Sequence, residues 1–324
     1  MPDVAQTAIV LLSVDEGHLL EHSLPAAVGQ PHSSVVVVDN ACTDSTADVA
    51  AAHAARRIRL APRAPYSRAM NAGLAAAEGD SVLLLNADCV LDPGFLDVLR
   101  AQLDDPRVGS VAPKLVRTKG MEPSARLAVL DTAGMVIDRR RKNTLVGHNA
   151  PAGRYATPGP VFGGDGAAVL YRRATLEDCA VGGEVLDEDF ELWAADADLA
   201  WRARVLGWEC VYEPRAVGWH MRFYSPSTRA HLEAHHRRLQ FRNRYLMMLK
   251  NDTGAAIARD LHRIVAYEAL ALGYALIVER ELLRGYIDAL ALAGAAWRRR
   301  RVIQRRRRAR GAAARVAFGL APAP

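Results

Sequence analysis

The sequence predicts an α/β domain with a mostly parallel central sheet and helices on both faces, followed by a C-terminal helical extension. Three observations carry this. Short apolar runs at Ala8–Leu12, Val35–Val38, Arg57–Ala61 and Val82–Leu85 have the length and composition of strands buried in parallel sheets. Segments rich in Ala and Leu at Leu19–Val28, Ser45–Ala55 and Ser67–Ala77 separate them and read as helices, and strand–helix alternation implies parallel pairing. From Ser227 onward the pattern is helical and rich in arginine.

The middle of the chain is less regular. Asp131–Asp138 reads as a strand with a turn, Arg139–Asn149 as a polar, basic loop, and Pro151–Pro160 as a Pro/Gly-rich mobile connection. Gly163–Arg173 (GGDGAAVLYRR) is a glycine-rich approach into an apolar strand. Asp196–Leu206 reads as a helix with acid at its start, where the positive end of the helix dipole favours it. Gly207 ends that helix, and Glu209–Glu213 reads as a strand leading toward Trp219 and His220. Ile257–Trp297 is amphipathic.

Length and charge bound the possibilities. The 324 residues allow one large domain or two ordinary ones. A hydrophobic fraction of 50% excludes intrinsic disorder, and four scattered cysteines without a CxxC pair suit a reducing compartment and offer no zinc site. The net charge of +6 is local: Arg298–Arg310 holds nine arginines, and the remainder has 33 basic against 36 acidic side chains. The body is therefore mildly acidic, and no specific nucleic-acid binding is expected. The first residues lack the cationic start and apolar core of an export signal. The longest apolar run, Ala269–Val278, has ten residues where a span needs about 20.

Open α/β sheets bind ligands outside the carboxyl ends of their strands. There the sequence places Ser13 and Asp15 after the first run, Asp39 and Asn40 after the second, Arg63–Arg68 after the third, and Asn86 and Asp88 after the fourth. A strand end meeting solvent is polar anyway, but four in succession point to a site.

Four fragments, in order, resemble family 2 glycosyltransferases of the GT-A fold, the nucleotide-diphospho-sugar transferase architecture. They are VVVVDNACTDST at Val35–Thr46, NAGLAAAEGDSVLLLNAD at Asn71–Asp88, GGDGAAVLYRR at Gly163–Arg173, and the run from Leu186 through Asp198, Leu199, Trp201 and Arg202 to His220. The resemblance covers roughly residues 7–250 and implies transfer of a sugar from a nucleotide-sugar donor with inversion at the anomeric carbon. A departing diphosphate calls for Mg²⁺ or Mn²⁺, which prefer hard oxygen ligands. The resemblance assigns the metal to Asp88, with Asn86 where the family's first DXD acid often stands, and to His220. It assigns the general base to Asp196, with Ala195 replacing the family's preceding Glu and Asp198 as second choice. Helix capping explains one of those two acids without function.

On the donor side the expected contacts are Ser13, Asp15 and Asp39 for base or ribose, with Arg68 and Asn71 meeting the diphosphate at a helix start. Gly163, Gly164 and Asp165 are expected to shape the acceptor side through close backbone approach. Trp193 and Trp219 could stack on sugar or belong to the core. His231, His235 and His236 are read as surface residues.

The domain organisation expected is a catalytic domain over residues 1–226, a helical region over 227–297 and an Arg-rich tail over 298–324. The tail and the preceding helices suit a helix lying on an anionic membrane, so a cytoplasmic location at the inner face of the plasma membrane follows. Removal of residues 298–324 is expected to spare the fold. The acceptor expected is a glycan or polyprenyl-linked sugar in cell-envelope polysaccharide synthesis, and dTDP-rhamnose is the preferred donor, since motifs and helical tail look like bacterial rhamnosyltransferases. Two rivals stay open: a sugar nucleotidyltransferase, although the loop Ser13–Gly17 is acidic rather than basic, and an inactive membrane adaptor on the same fold.

Overall fold

The computed structural model describes residues 6–223, 232–308 and 317–324. Strands β1 (Thr7–Ser13), β2 (Ser33–Asn40), β3 (Arg56–Leu60) and β4 (Ser81–Asn86) pair in parallel in the order β3-β2-β1-β4. Between them run α1 (Gly17–Val28), α2 (Thr46–Ala52) and α3 (Tyr66–Ala76). Strand alternation sends Ala8, Val10 and Leu12 toward the core layer that holds Met70 and Leu74 of α3. Ile9 and Leu11 go to the layer holding Leu20 and Leu24 of α1. Gly73 is required by this packing: a Cβ there would lie 2.5 Å from Val10 Cγ1.

Beyond β4 the chain makes β5 (Cys89–Leu91), α4 (Phe95–Ala101), β6 (Val108–Thr118), β7 (Arg126–Thr132) and a hairpin of β8 (Met135–Ile137) with β9 (Asn143–Leu145). There follow β10 (Gly159–Pro160), β11 (Ala168–Arg172), α5 (Arg173–Cys179), α6 (Ala195–Val205) and β12 (Glu209–His220). The sheet continues β4-β11-β6-β12-β10, with β11 antiparallel to β4 and β6, and β12 parallel to β6. The sheet is thus parallel in its first half and mixed in its second. The chain enters β11 at the carboxyl edge, Ala168 beside Leu85, and must run back against β4. The last strand outruns the expected Glu209–Glu213. Pro214 interrupts the pattern, but a register shift between Glu213 and Val217 absorbs it and carries β12 on to His220.

The C-terminal helices are α7 (Ala234–Asn251), α8 (Gly254–Ile277) and α9 (Leu282–Arg305). Ser227–His231, including the expected boundary at 226/227, lie outside the described residues. Helix α7 is bound to the sheet domain by polar side chains: Asn243 Nδ2 donates to the carbonyls of Phe190, Leu192 and Trp193 at 2.8–2.9 Å. No described helix is long and apolar enough to cross a membrane.

The Arg-rich segment is not a free tail. Arg298–Arg305 completes α9, and several arginines of the segment dock on the sheet domain or on the end of α7. Arg299 pairs with Glu184 at 2.7 Å, Arg300 donates to the Leu249 and Asp252 carbonyls at 2.8 and 2.6 Å, and Arg308 pairs with Asp178 at 2.8 Å. Residues 317–324 return to the core. Phe318 meets Trp201 edge-on at 5.2 Å with the Arg141 guanidinium 4.0 Å above its ring, and Gly319 N–H donates to Ile137 O at 2.8 Å. The expectation that deleting 298–324 spares the fold is therefore corrected: the deletion removes aromatic packing and paired charges together.

Candidate active site

The parallel register brings the ends of β1, β2 and β4 to one edge, Ser13 beside Asp39 and Leu12 beside Asn86. Asn86 ends β4 half-buried, with its N–H donating to Ala167 O at 2.9 Å. Two residues on, Asp88 meets the end of β12, because β5 pairs antiparallel with β12 and sets His220 opposite Cys89. His220 Nε2 lies 3.2 Å from Asp88 Oδ1, and Met221 N–H donates to Asp88 O at 3.0 Å.

The other ring nitrogen of His220, Nδ1, is 2.8 Å from Asp131 Oδ2. Asp131 stands fully buried in β7 and also accepts from Arg222 Nε at 2.7 Å. Burial would raise the Asp131 pKa, but His220 and Arg222 outweigh it and hold the carboxyl well below the usual range. Burial likewise would lower the His220 pKa, yet Asp88 and Asp131 lift it to about 9. Arg222 continues the series, donating from Nη2 to Asp165 Oδ1 at 2.9 Å.

Asp165 leads to Asp196, in the first turn of α6. Asp196 accepts the Gly166 N–H at 3.0 Å and the Ala197 N–H at 2.8 Å, contacts that favour its ionised form. Burial, and then the neighbouring Asp165 charge, prevail and raise its pKa to about 6. The glycines explain how α6 comes so close. A Cβ on Gly163 would sit 2.4 Å from Ala200 Cβ, and one on Gly164 would sit 2.4 Å from Val169 Cγ2. The close approach that these two glycines permit is to α6 and β11.

Four other expected residues have partners within the protein, two of them buried. Asp198, expected as a second base, is fully buried and bound to Arg202 Nε at 3.0 Å, Lys250 Nζ at 2.9 Å and Asn251 Nδ2 at 2.7 Å. It anchors α7 to α6. Asn71 is spent on reciprocal bonds to Leu186 N and O at 2.9 and 2.8 Å, and Arg68 Nε on Glu188 at 2.7 Å, so neither is held toward a diphosphate. Ser13 is buried, with its hydroxyl 2.8 Å from Thr46 Oγ1. Replacing Asp198 with Ala leaves Lys250 and Arg202 short of a buried partner. It is expected to lower stability by about 3–5 kcal/mol in a denaturant titration, with donor binding intact in the folded fraction.

Asp39 and Asp15 also lie at the edge, Asp39 buried as fully as Ser13. Asp39 takes the Cys42 N–H at 2.8 Å and Arg57 Nη1 at 3.1 Å, while Asp15, more exposed, takes the Thr43 N–H at 2.8 Å and is ion-paired with Arg63. Trp193 lies edge-on to His236 at 6.4 Å. Trp219 donates Nε1–H to Asp92 at 2.9 Å with Arg126 stacked 4.2 Å over its ring, on the face of β12 opposite His220. His235 is exposed, as expected, and His231 lies outside the described residues.

Sequence reasoning assigned no role to Asp131, Arg222 and Glu16. Asp131 had a signal: a lone carboxylate inside the strand run RLAVLDT must find cationic partners if it is buried. Glu16 had none, since it reaches Asp88 only through the fold. Burial first, then the charges of Asp88 and Asp44, raise its pKa to about 7.

The chemistry of this donor set fits a divalent ion. Adjacent ligands of an octahedral ion with bonds of 2.0–2.1 Å stand about 3 Å apart, close to the 3.2 Å between Asp88 Oδ1 and His220 Nε2. A carboxylate behind the histidine, as Asp131 is, orients such a ligand. Asp15, Cys42 and Asp44 also come within reach of one ion, but Arg63, the Ser13 carbonyl and Thr46 already engage them.

Comparisons with known proteins bear on the family and the fold. The model of the family described as "Glycosyl transferase family 2" matches residues 9–179. An uncharacterised glycosyltransferase of Mycobacterium tuberculosis is 42% identical over 86 residues, 26% of this chain and 39% of that protein. The O-antigen biosynthesis protein RfbC of Myxococcus xanthus is 30% identical over 210 residues, 59% of this chain and 15% of that one. The chain thus matches about two fifths of the first relative and much less of the second. Among solved structures, S. aureus TarS 1–349 in complex with UDP-GlcNAc superposes with a TM-score of 0.59 at 16% identity, covering 92% of this chain and 90% of that one. GalNAc-T7 with UDP, GalNAc and Mn²⁺ gives a TM-score of 0.59 at 12% identity, covering 77% and 48%. The strand order, the edge at which the carboxylates gather and these likenesses agree: the chain has the GT-A fold and belongs to glycosyl transferase family 2.

Proposed function

We propose that this protein is an inverting, divalent-metal-dependent glycosyltransferase that moves a sugar from a nucleotide-diphosphate donor to a hydroxyl of a glycan or polyprenyl-linked acceptor in cell-envelope polysaccharide synthesis. One observation carries the reading. A carboxylate with a raised pKa, Asp196, lies close enough to Asp165 to feel its charge, and Asp165 is bonded through Arg222, Asp131 and His220 to the oxygen–nitrogen pair of Asp88 and His220 at the same sheet edge.

Asp88 and His220 would hold Mg²⁺ or Mn²⁺, which when bound supplies neutralisation of the diphosphate leaving group. Asp131 and Arg222 keep His220 oriented with Nε2 facing Asp88. Asp15 and Asp39, at the ends of β1 and β2, stand where the nucleoside would lie. Asp196 accepts the acceptor's hydroxyl proton as that oxygen attacks the anomeric carbon and the bond to the diphosphate oxygen breaks. A single displacement with one base inverts the centre. The first donor to test is dTDP-rhamnose, supported by the motif resemblance and the distant likeness to RfbC.

A panel of dTDP-rhamnose, UDP-galactofuranose, UDP-glucose and GDP-mannose, with Mg²⁺ or Mn²⁺ present and then chelated, tests the reading by thermal shift and sugar release. At least one donor should stabilise the protein and be turned over only with metal. Turnover untouched by chelation would overturn it. The base assignment also sets a pH dependence. With its pKa at about 6, Asp196 is protonated and idle below that value, so kcat/KM should fall on the acid side with a midpoint near pH 6. Asp165→Asn removes the like charge and should move that midpoint down.

A further inference from the structure

The exposed apolar side chains of the described residues are concentrated on one element pair, the α8–α9 hairpin. On α8, Val265, Leu270, Leu272, Leu276 and Ile277 are exposed, with Ile277 at 84% and Leu270 at 75%. At 100° per residue these side chains and Val278 sweep about 240° of the helix circumference. Only a strip through Ile264 and Ala275 is packed. A single flat protein partner covers about half of a helix; an apolar sweep this wide fits a medium that closes around it. Ile287 and Leu290 extend the surface onto α9.

The charges are sorted as well. The stretch from Gly254 to Arg308 contains five acids, and each is paired: Asp260 with Arg141, Glu268 with Arg244, Glu279 with Arg237, Glu281 with Arg238 and Asp288 with Arg238. The arginines of α9 divide by face. Arg299 and Arg300 dock inward, whereas Arg298, Arg301 and Arg305, at helical spacing, are exposed on the outward stripe that also carries Ile287 and Leu290. Trp297, 51% exposed, stands where that stripe changes from apolar to basic, the position an indole takes at a membrane–water boundary.

We infer that the α8–α9 hairpin is a membrane-binding surface, laying the exposed face of α8 into the boundary between headgroups and acyl chains while Arg298, Arg301 and Arg305 meet anionic headgroups. A second copy of the chain is the weaker occupant, because the acids of this stretch are already paired within the chain and the same face of a partner copy would offer Arg298, Arg301 and Arg305 no spare carboxylate. The sequence placed membrane contact in the C-terminal helices together with the whole Arg-rich segment. The inference narrows the basic contact to Arg298, Arg301 and Arg305 and adds the apolar face of α8, because Arg299 and Arg300 are engaged within the protein.

The test uses the full chain with vesicles of phosphatidylcholine alone or mixed with phosphatidylglycerol, read by co-sedimentation, and needs no knowledge of donor or acceptor. Binding should require phosphatidylglycerol and weaken with salt. The triple variant Arg298→Glu, Arg301→Glu, Arg305→Glu should lower the partition coefficient on the order of 100-fold or more. The pair Leu270→Glu, Ile277→Glu should abolish binding. Both variants should melt like the parent, since the side chains are exposed. Parent protein that ignores anionic vesicles, or that forms a dimer which the Leu270→Glu, Ile277→Glu pair dissolves without any vesicle binding, overturns the inference.

Discussion

Asp196→Asn should bind nucleotide-sugar and metal like the parent and yet transfer sugar 10²–10⁴-fold more slowly, the usual range for loss of a general base. The amide keeps the size of the side chain and can still accept one of the backbone N–H bonds from Gly166 and Ala197, but it cannot take a proton. The loss should therefore fall on kcat, with KM for the donor little changed. Rapid-quench measurement of a single turnover, beside donor affinity by calorimetry, separates the two. Transfer at the parent rate would show that the proton goes elsewhere. The structure does not favour Asp198 as the substitute, because Lys250, Arg202 and Asn251 occupy it in the core.

Asp88→Ala should abolish metal-dependent donor binding, and His220→Ala should weaken it. Asp131→Asn should cost about 10–100-fold in metal affinity although it would touch neither metal nor donor, as expected for a carboxylate that orients a ligating histidine. Asp131 has a second duty, holding Arg222 against Asp165. Its loss should therefore also disturb the base: with Arg222 freed, the Asp165 charge beside Asp196 is less compensated and the acid limb of the pH profile moves up. Metal titration followed by a pH series on the same variant reads both effects. A variant with parent metal affinity would remove His220 from the ligand set.

The two candidate carboxylates were legible in the sequence for different reasons. Asp88 follows a four-residue apolar run that can only be a buried strand, and parallel strands put their ends at one edge. Asp196 opens a segment whose helical character and terminating Gly207 are local signals. His220 was legible through order along the chain, although β12 reaches it across a bulge that no periodicity shows. Arg68 and Asn71 have a sequence context, the start of a helix after a strand, that suits an anion, but it does not show the bonds they make in the fold. Their partners, Glu188 and Leu186, lie more than 110 residues away.

Hydrophobic period, turn residues and strand-end polarity are properties of neighbours in the chain, and they suffice for the α/β class, the first four strands and the edge where chemistry gathers. Whether a charged side chain works, anchors or floats depends on which opposite charge the fold sets beside it. Only the tertiary structure could bury Asp198 under Lys250, join Asp131 to His220 and Arg222, and turn some arginines of α9 inward and others out. The reason is energetic. A buried charge is tolerated only with a partner a few ångströms away, and that distance is set by packing between segments remote in sequence.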